Sequence, residues 1–155
     1  TSLRKGVCLA MTLLLNALAS PIQLGLYKDD ELFKRYESDE KASEFLPVIL
    51  EQILAEFSLK RLIYANGPGS FMGIKISFVS LKTLSIELNL PLFAVSAFEL
   101  NNYAPIRANN ALCFVYDKGQ IALQKAVAGE FALPKNLKGL NLSSDNAPFY
   151  FLDAV

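Results

Sequence analysis

Hydrophobic positions follow three patterns in turn along this chain. From Met11 to Leu18 they form a near-continuous apolar run that admits Asn16, the signature of a strand covered on both faces. From Ile22 to Tyr27 they alternate, Lys28-Asp29-Asp30 supplies a turn, and Leu32 to Tyr36 returns as a third strand, so the opening third predicts an antiparallel meander. After Ser38-Asp39-Glu40, a plausible helix start, Phe45, Ile49, Ile53 and Phe57 fall on one stripe and Leu46, Leu50 and Leu54 on its neighbour. This helix is expected over Ser43 to Phe57, with Pro47 tolerable in its first turn alone. Glu44, Glu51, Gln52 and Glu56 mark its wet side, or the polar rim of an interface.

The middle of the chain predicts a strand-turn-helix corner. Arg61 to Ala65 is a short β-rich run, Asn66-Gly67-Pro68-Gly69-Ser70 a loop, and Phe71 to Leu88 a long helix with Ser70 in the N-cap position. Gly69, Gly73 and Ser77 recur every four residues and leave one bare stripe on which another backbone can come close. Phe71, Ile74, Phe78, Leu81 and Ile86 make the rest of that helix apolar on most sides, which requires cover on most sides. Leu92 to Ser96 then predicts a strand and residues 98–103 a helix. Leu112 to Tyr116, Ile121 to Val127 and Phe149 to Leu152 read as strands, with Asp117-Lys118-Gly119 as a hairpin turn and Pro134 to Pro148 as loop. Three antiparallel strands followed by helix-strand crossovers give an α/β fold, a mixed sheet with flanking helices of the ribonuclease H-like kind over residues 11–103. Residues 1–10 are expected to lie outside this core, and residues 104–155 to form a reduced second lobe packed on it.

Composition narrows the chemistry. Fifteen basic and fifteen acidic residues cancel, there is no Lys/Arg run, and the chain is a poor candidate for gripping nucleic acid alone. With 52% hydrophobic and 19% charged residues it is rich in apolar surface, which points to burial against a second protein. Histidine is absent, removing His-dependent triads, His-bearing zinc sites and the commonest general base together. Cys8 and Cys113 have no metal-ligand spacing and read as reduced thiols of a cytoplasmic protein. Arg4-Lys5, the apolar run from Gly6 and Ala17-Leu18-Ala19 also imitate a secretory leader, so an exported small domain is a rival reading.

Few residues qualify as a reactive centre. Gly67, Gly69 and Ser70 precede a helix N-terminus and form a weak anion-binding candidate, although their spacing fits neither the dinucleotide fingerprint nor the P-loop. Glu99 has no neighbour in sequence to shift its pKa and reads as a surface or capping carboxylate. Asp29, Asp30 and Glu31 are explained by a solvated turn. Ser70 has no histidine to activate it and no nucleophile elbow around it.

The run Gly67-Pro68-Gly69-Ser70-Phe71-Met72-Gly73-Ile74-Lys75, followed by Leu92-Phe93-Ala94-Val95-Ser96, resembles the GPGSFTGLR and later P-hydrophobic-x-x-V-S pattern of the TsaB (YeaZ) family. The resemblance covers about residues 11–128. It implies the N-terminal lobe of an actin and sugar-kinase-like protein with its second lobe truncated, and a non-catalytic partner of TsaD in making the threonylcarbamoyl modification of tRNA adenosine. It further implies work with TsaD and the ATPase TsaE, contact with tRNA only inside that assembly, and ATP and magnesium held by the partners with no cofactor in this chain. No membrane role follows. In that picture the two helices pack on their counterparts in TsaD through Phe45, Ile49, Gln52, Ile53, Gly69, Phe71, Gly73 and Ser77, and alone the face could pair into a homodimer. The sequence departs from the family pattern at several points. Asn16 stands where the family keeps an Asp at the end of the first strand, Lys75 replaces an arginine and Met72 a threonine. Ser96-Ala97-Phe98-Glu99-Leu100 has one carboxylate where TsaD carries a histidine-based metal motif. An ATP-binding phosphotransferase of the same superfamily is the enzymatic rival, and Asn16 argues against it because a neutral amide has little hold on magnesium.

Overall fold

A computed structural model describes residues 10–150. β1 (Ala10–Asn16), β2 (Ile22–Lys28) and β3 (Glu31–Ser38) form the expected antiparallel meander, and α1 (Ala42–Glu56), β4 (Ser58–Ala65), α2 (Phe71–Leu88) and β5 (Leu92–Val95) follow as two crossover units. The five strands make one mixed sheet in the order β3-β2-β1-β4-β5, with β1 antiparallel to β2 and parallel to β4, and β4 parallel to β5. This is the ribonuclease H-like arrangement.

β1 lies in the middle of the sheet, and its alternation feeds both sides. Met11, Leu13 and Leu15 point into one core with Leu62, Tyr64 and Leu92 from the neighbouring strands and Leu46, Ile49, Leu50 and Ile53 of α1. Leu81 of α2 is buried in the same core, and Ile76, Phe78 and Leu84 pack against it, so both helices cover one face. Leu14 points the other way with Tyr27, Ile63, Val95 and Phe98. That second face is covered by a 3₁₀ turn (Ala97–Leu100), by a three-stranded antiparallel sheet of β6 (Ile106–Arg107), β7 (Cys113–Asp117) and β8 (Gln120–Gln124), and by the irregular chain after it, which buries Leu137. Within the described residues, the apolar run that also imitates a leader peptide supplies the central strand, Ala10–Asn16, and cleavage after Ala19 would remove it. Cys8 and the rest of residues 1–9 lie outside the described residues.

Several boundaries differ from the sequence expectation for local reasons. Ser38 does not cap α1; its Oγ accepts from Glu40 N at 3.0 Å in a tight turn, and Lys41 occupies the cap position with no side-chain bond. Pro47 sits in the second turn of α1, on the solvent side, where its missing N–H is lost to the helix but the ring has room. The helix expected over 98–103 is a single 3₁₀ turn, because Asn102 and Tyr103 both take positive φ and end it. No strand is found at Phe149–Tyr150, and the remainder of the strand expected to run to Leu152 lies outside the described residues. The two hairpin turns are as read: Asp29 and Asp30 (φ 52° and 68°), and Lys118 with Gly119 (φ 50° and 81°), take the left-handed conformations that two-residue turns require. β3 is an edge strand whose exposed side chains include Glu31, Lys34, Arg35 and Glu37. At its turn, Arg61 bridges Asp30 at 3.0 Å and donates to Thr12 Oγ1 at 3.2 Å.

The start of α2 is pressed against the β1–β2 loop. A Cβ at Gly73 would collide with the carbonyl oxygen of Ala17, and one at Gly69 would lie 2.7 Å from Leu18 Cβ. Gly73→Ala should therefore destabilise by about 1–3 kcal/mol, since backbone must shift to admit a methyl group, and lower Tm by roughly 3–10 °C. An unchanged melting curve would show that the loop yields freely.

Two buried phenols fasten the sheet to the later chain: Tyr27 donates to Pro134 O at 2.8 Å and Tyr64 to Asn146 O at 2.6 Å. Burial pushes both pKa values above the ordinary tyrosine range. The folded state thus favours the neutral phenol, so this contribution is complete below about pH 10, where unfolded tyrosine titrates, and declines as pH rises beyond it. Urea unfolding across this range should show the fall, and Tyr64→Phe should lessen it while costing about 1 kcal/mol at neutral pH. A variant as sensitive to alkali as the parent would acquit Tyr64.

Candidate functional site

The corner between β4 and α2 is built as its sequence suggests. Asn66 N donates to Val95 O at 3.1 Å, tying the end of β4 to β5, and Gly67 O accepts from Ala97 N at 2.9 Å. Gly67 has φ +127°, open to glycine and strained for other residues, and a side chain there would also strike the carbonyl of Phe149. Ser70 caps α2 by accepting from Gly73 N at 3.1 Å, and Asn89 ends the helix in the left-handed conformation at φ 55°. Two of the backbone donors an anion could use are already engaged: Ser70 N bonds Leu18 O at 3.0 Å and Gly73 N is occupied by the cap. Of the anion candidates, Gly67 is buried and Ser70 is exposed beside a groove of about 450 Å³ that runs between the starts of the two helices and includes Ser20, Lys41 and Met72.

The eight residues expected at a partner face separate into two groups. Ile49, Ile53, Gly73 and Ser77 are buried within this chain, and Gly69 packs on Leu18. The bare stripe does admit a backbone, but that backbone is the chain's own β1–β2 loop. Ser77 Oγ, at 1% exposure, has no hydrogen-bond partner in the structure. Phe45 is half-buried against the core, Gln52 is exposed, and Phe71 is 38% exposed with its ring edge-on to Tyr150 at 5.2 Å.

What lies open is a different stripe. Met72, Val79 and Ile86 are 62%, 55% and 71% exposed on α2, and Val48 is 68% exposed on α1. A spacing of seven puts the first three on one line along the helix, with Lys75 and Lys82 interleaved at the same interval. Sequence periodicity alone hid this line, because the helix is apolar on both its inner and outer sides. The discriminating sign was the alternation with lysine, which the inner positions Ile74 and Leu81 lack.

Acid-base and metal chemistry find little footing. Asn16 does end β1, buried, and its Oδ1 accepts from Leu18 N at 3.0 Å, so the amide serves the loop. A magnesium-nucleotide would find no carboxylate at that position. Glu99 Oε1 accepts from Asn141 N at 2.9 Å, a capping use. Asp29 and Asp30 form the hairpin turn. No group of three or more His, Cys, Asp or Glu side chains that could hold a metal occurs among the described residues. Nor, among them, is any helix long and apolar enough to cross a membrane.

The chain resembles known proteins in sequence and in fold. Residues 37–137 match the family model described as TsaD: tRNA N6-adenosine threonylcarbamoyltransferase. The tRNA threonylcarbamoyladenosine biosynthesis protein TsaB of Buchnera aphidicola subsp. Schizaphis graminum is 31% identical over 83 residues, half of this chain and 40% of that protein. TsaB of Bacillus subtilis is 39% identical over 46 residues, 30% of this chain and 20% of that protein. The matched parts thus span well under two thirds of these relatives. Among solved structures, YeaZ from Pseudomonas aeruginosa superposes with a TM-score of 0.55 at 18% identity, covering 81% of this chain and 71% of its own. A second structure, described as an uncharacterized protein with similarity to peptidase YEAZ from Pseudomonas aeruginosa, gives a TM-score of 0.53 at 18% identity, covering 83% of this chain and 72% of its own. Family model, relatives and fold agree: this chain belongs to the family that the threonylcarbamoyltransferase model describes, and it is similar there to TsaB proteins in sequence and to YeaZ in fold.

Proposed function

We propose that this chain is a non-catalytic subunit of the machinery that makes threonylcarbamoyladenosine in tRNA, and that it docks on a TsaD-type transferase through the outward side of its helix layer. The observation that carries the reading is the line Met72, Val79 and Ile86 on α2, with Val48 on α1, which sets four exposed large apolar side chains together on the outer side of the helix layer. Gln52 and Phe71 join this face, whereas Ile49, Ile53, Gly73 and Ser77 support it from within. Lys75 and Lys82 give it a charged margin that fixes register on an acidic counterpart.

In this reading the subunit works in the cytoplasm with TsaD and the ATPase TsaE, and ATP and magnesium enter through TsaD or TsaE. It meets tRNA only within the assembly. Without a partner, two copies cover the same face as a two-fold dimer. Asn16 at the end of β1 leaves the isolated chain without a magnesium ligand there, in keeping with a scaffold role.

The test is the double substitution Val79→Glu with Ile86→Glu. Both positions are exposed, so Tm should move by no more than a few degrees, while the dissociation constant for TsaD of the same cell, measured by calorimetry, should rise at least roughly thirtyfold if the pair contains a hot spot. Undiminished affinity in the folded variant would exclude this face. A reconstituted mixture of the chain, TsaD, TsaE, ATP and tRNA should yield modified adenosine, and omission of the chain should abolish the yield.

A further inference from the structure

The irregular segment from Asn141 to Tyr150 is tied to the sheet by a run of polar bonds, with Leu142 and Tyr150 as its apolar contacts on the core. Asn141 N donates to Glu99 Oε1 at 2.9 Å, and Ser143 exchanges two backbone bonds with Ala94, each 2.9 Å, so it lies along the outer edge of β5. Asn146 is held twice, its carbonyl by Tyr64 OH at 2.6 Å and its amide by Leu92 O at 2.9 Å. The segment then closes on the corner before α2. Asn66 Nδ2 donates to Ala147 O at 3.1 Å, Phe149 N donates to Asn66 O at 2.8 Å, the Phe149 carbonyl rests against Gly67, and the Tyr150 ring meets Phe71.

We propose that residues 141–150 are a latch, a separately opening unit whose seating fixes the Asn66–Ser70 loop and with it the first turn of α2. The segment holds no fully buried apolar residue: Leu142, Pro148 and Tyr150 are half-buried, Asn141, Ser143, Ser144, Asp145, Ala147 and Phe149 are exposed, and Leu137, the nearest fully buried anchor, lies before it. A unit held by hydrogen bonds of modest net worth, without a core of its own, opens at lower free energy than the sheet beneath it. Opening withdraws both the bond donor to Asn66 O and the carbonyl acceptor of its side chain. It also bares the edge of β5 and frees Phe71 at the start of the exposed stripe. The latch thereby couples the order of residues 141–150 to the helix start, whatever that helix engages. It stands apart from the docking reading, because its consequences are internal to the chain.

Amide hydrogen exchange on the full chain, read residue by residue, tests it. Asn146→Ala removes an anchor outside the loop, and Tyr64→Phe removes another while keeping the ring. In each variant the amides of Ser143, Phe149 and Ala94 should exchange about five- to tenfold faster. Those of Ser70 and Gly73 should accelerate with them, while Leu14 and Ile63 in the central strands stay at the parental rate. Faster exchange in the segment with Ser70 and Gly73 unchanged would make it a passive cover and overturn the coupling. Uniform acceleration through the central strands, or none at Ser143 and Phe149 in either variant, would overturn the separate unit.

Discussion

Everything in this molecule is referred to β1, a strand with apolar side chains on both faces and hydrogen-bonded neighbours on both edges. A backbone so enclosed must satisfy its polar groups along its whole length, which requires a strand on each edge: β2, antiparallel after a short loop, and β4, parallel. The parallel pairing in turn demands a crossover, and α1 supplies it across one face. The repeat of that move through α2 to β5 places both helices on the same side. The other face is left to the later chain, which covers it with a small sheet and loops.

The same constraint explains where the glycines fall. The loop leaving β1 must turn beside the start of α2, and the room it needs is the absent side chain of Gly73. A stripe of small residues reads in sequence as an invitation to any backbone. Here the nearest claimant is Ala17, brought there by the strand it follows. Conserving space inside the fold and presenting space to a partner leave the same mark on a sequence, and only the sheet topology distinguishes them.

Much of the fold was legible because its elements carry strong local signals: the unbroken run of β1, the alternation of β2, the aspartates of the first hairpin and Ser70 before α2. Legibility failed where local chemistry was ambiguous. Ser38 looked like a helix cap and instead closes a tight turn; residues 98–103 looked helical, but Asn102 and Tyr103 take left-handed backbone. In the candidate site, Gln52 and Phe71 were found on the outer surface, whereas Ile49 and Ile53 were drawn into the core with the rest of the α1 stripe. The line Met72, Val79 and Ile86 was obscured because Ile74 and Leu81 are equally apolar, and hydrophobicity carries no sign for inward or outward. The polar anchors of residues 141–150 gave no periodic signal, since hydrogen bonds to carbonyls can be made by any backbone.

The two margins of the sheet are both closed to further strands. β3 carries Glu31, Lys34, Arg35 and Glu37 outward, charges that resist a flat neighbouring ribbon, and β5 is roofed along its free side by Ser143. Backbone pairing accepts almost any extended sequence, so a protein that forecloses it gives up promiscuous association. Side chains on a helical surface work differently, since each contact there has a particular shape and charge and can be altered one residue at a time without disturbing the framework underneath.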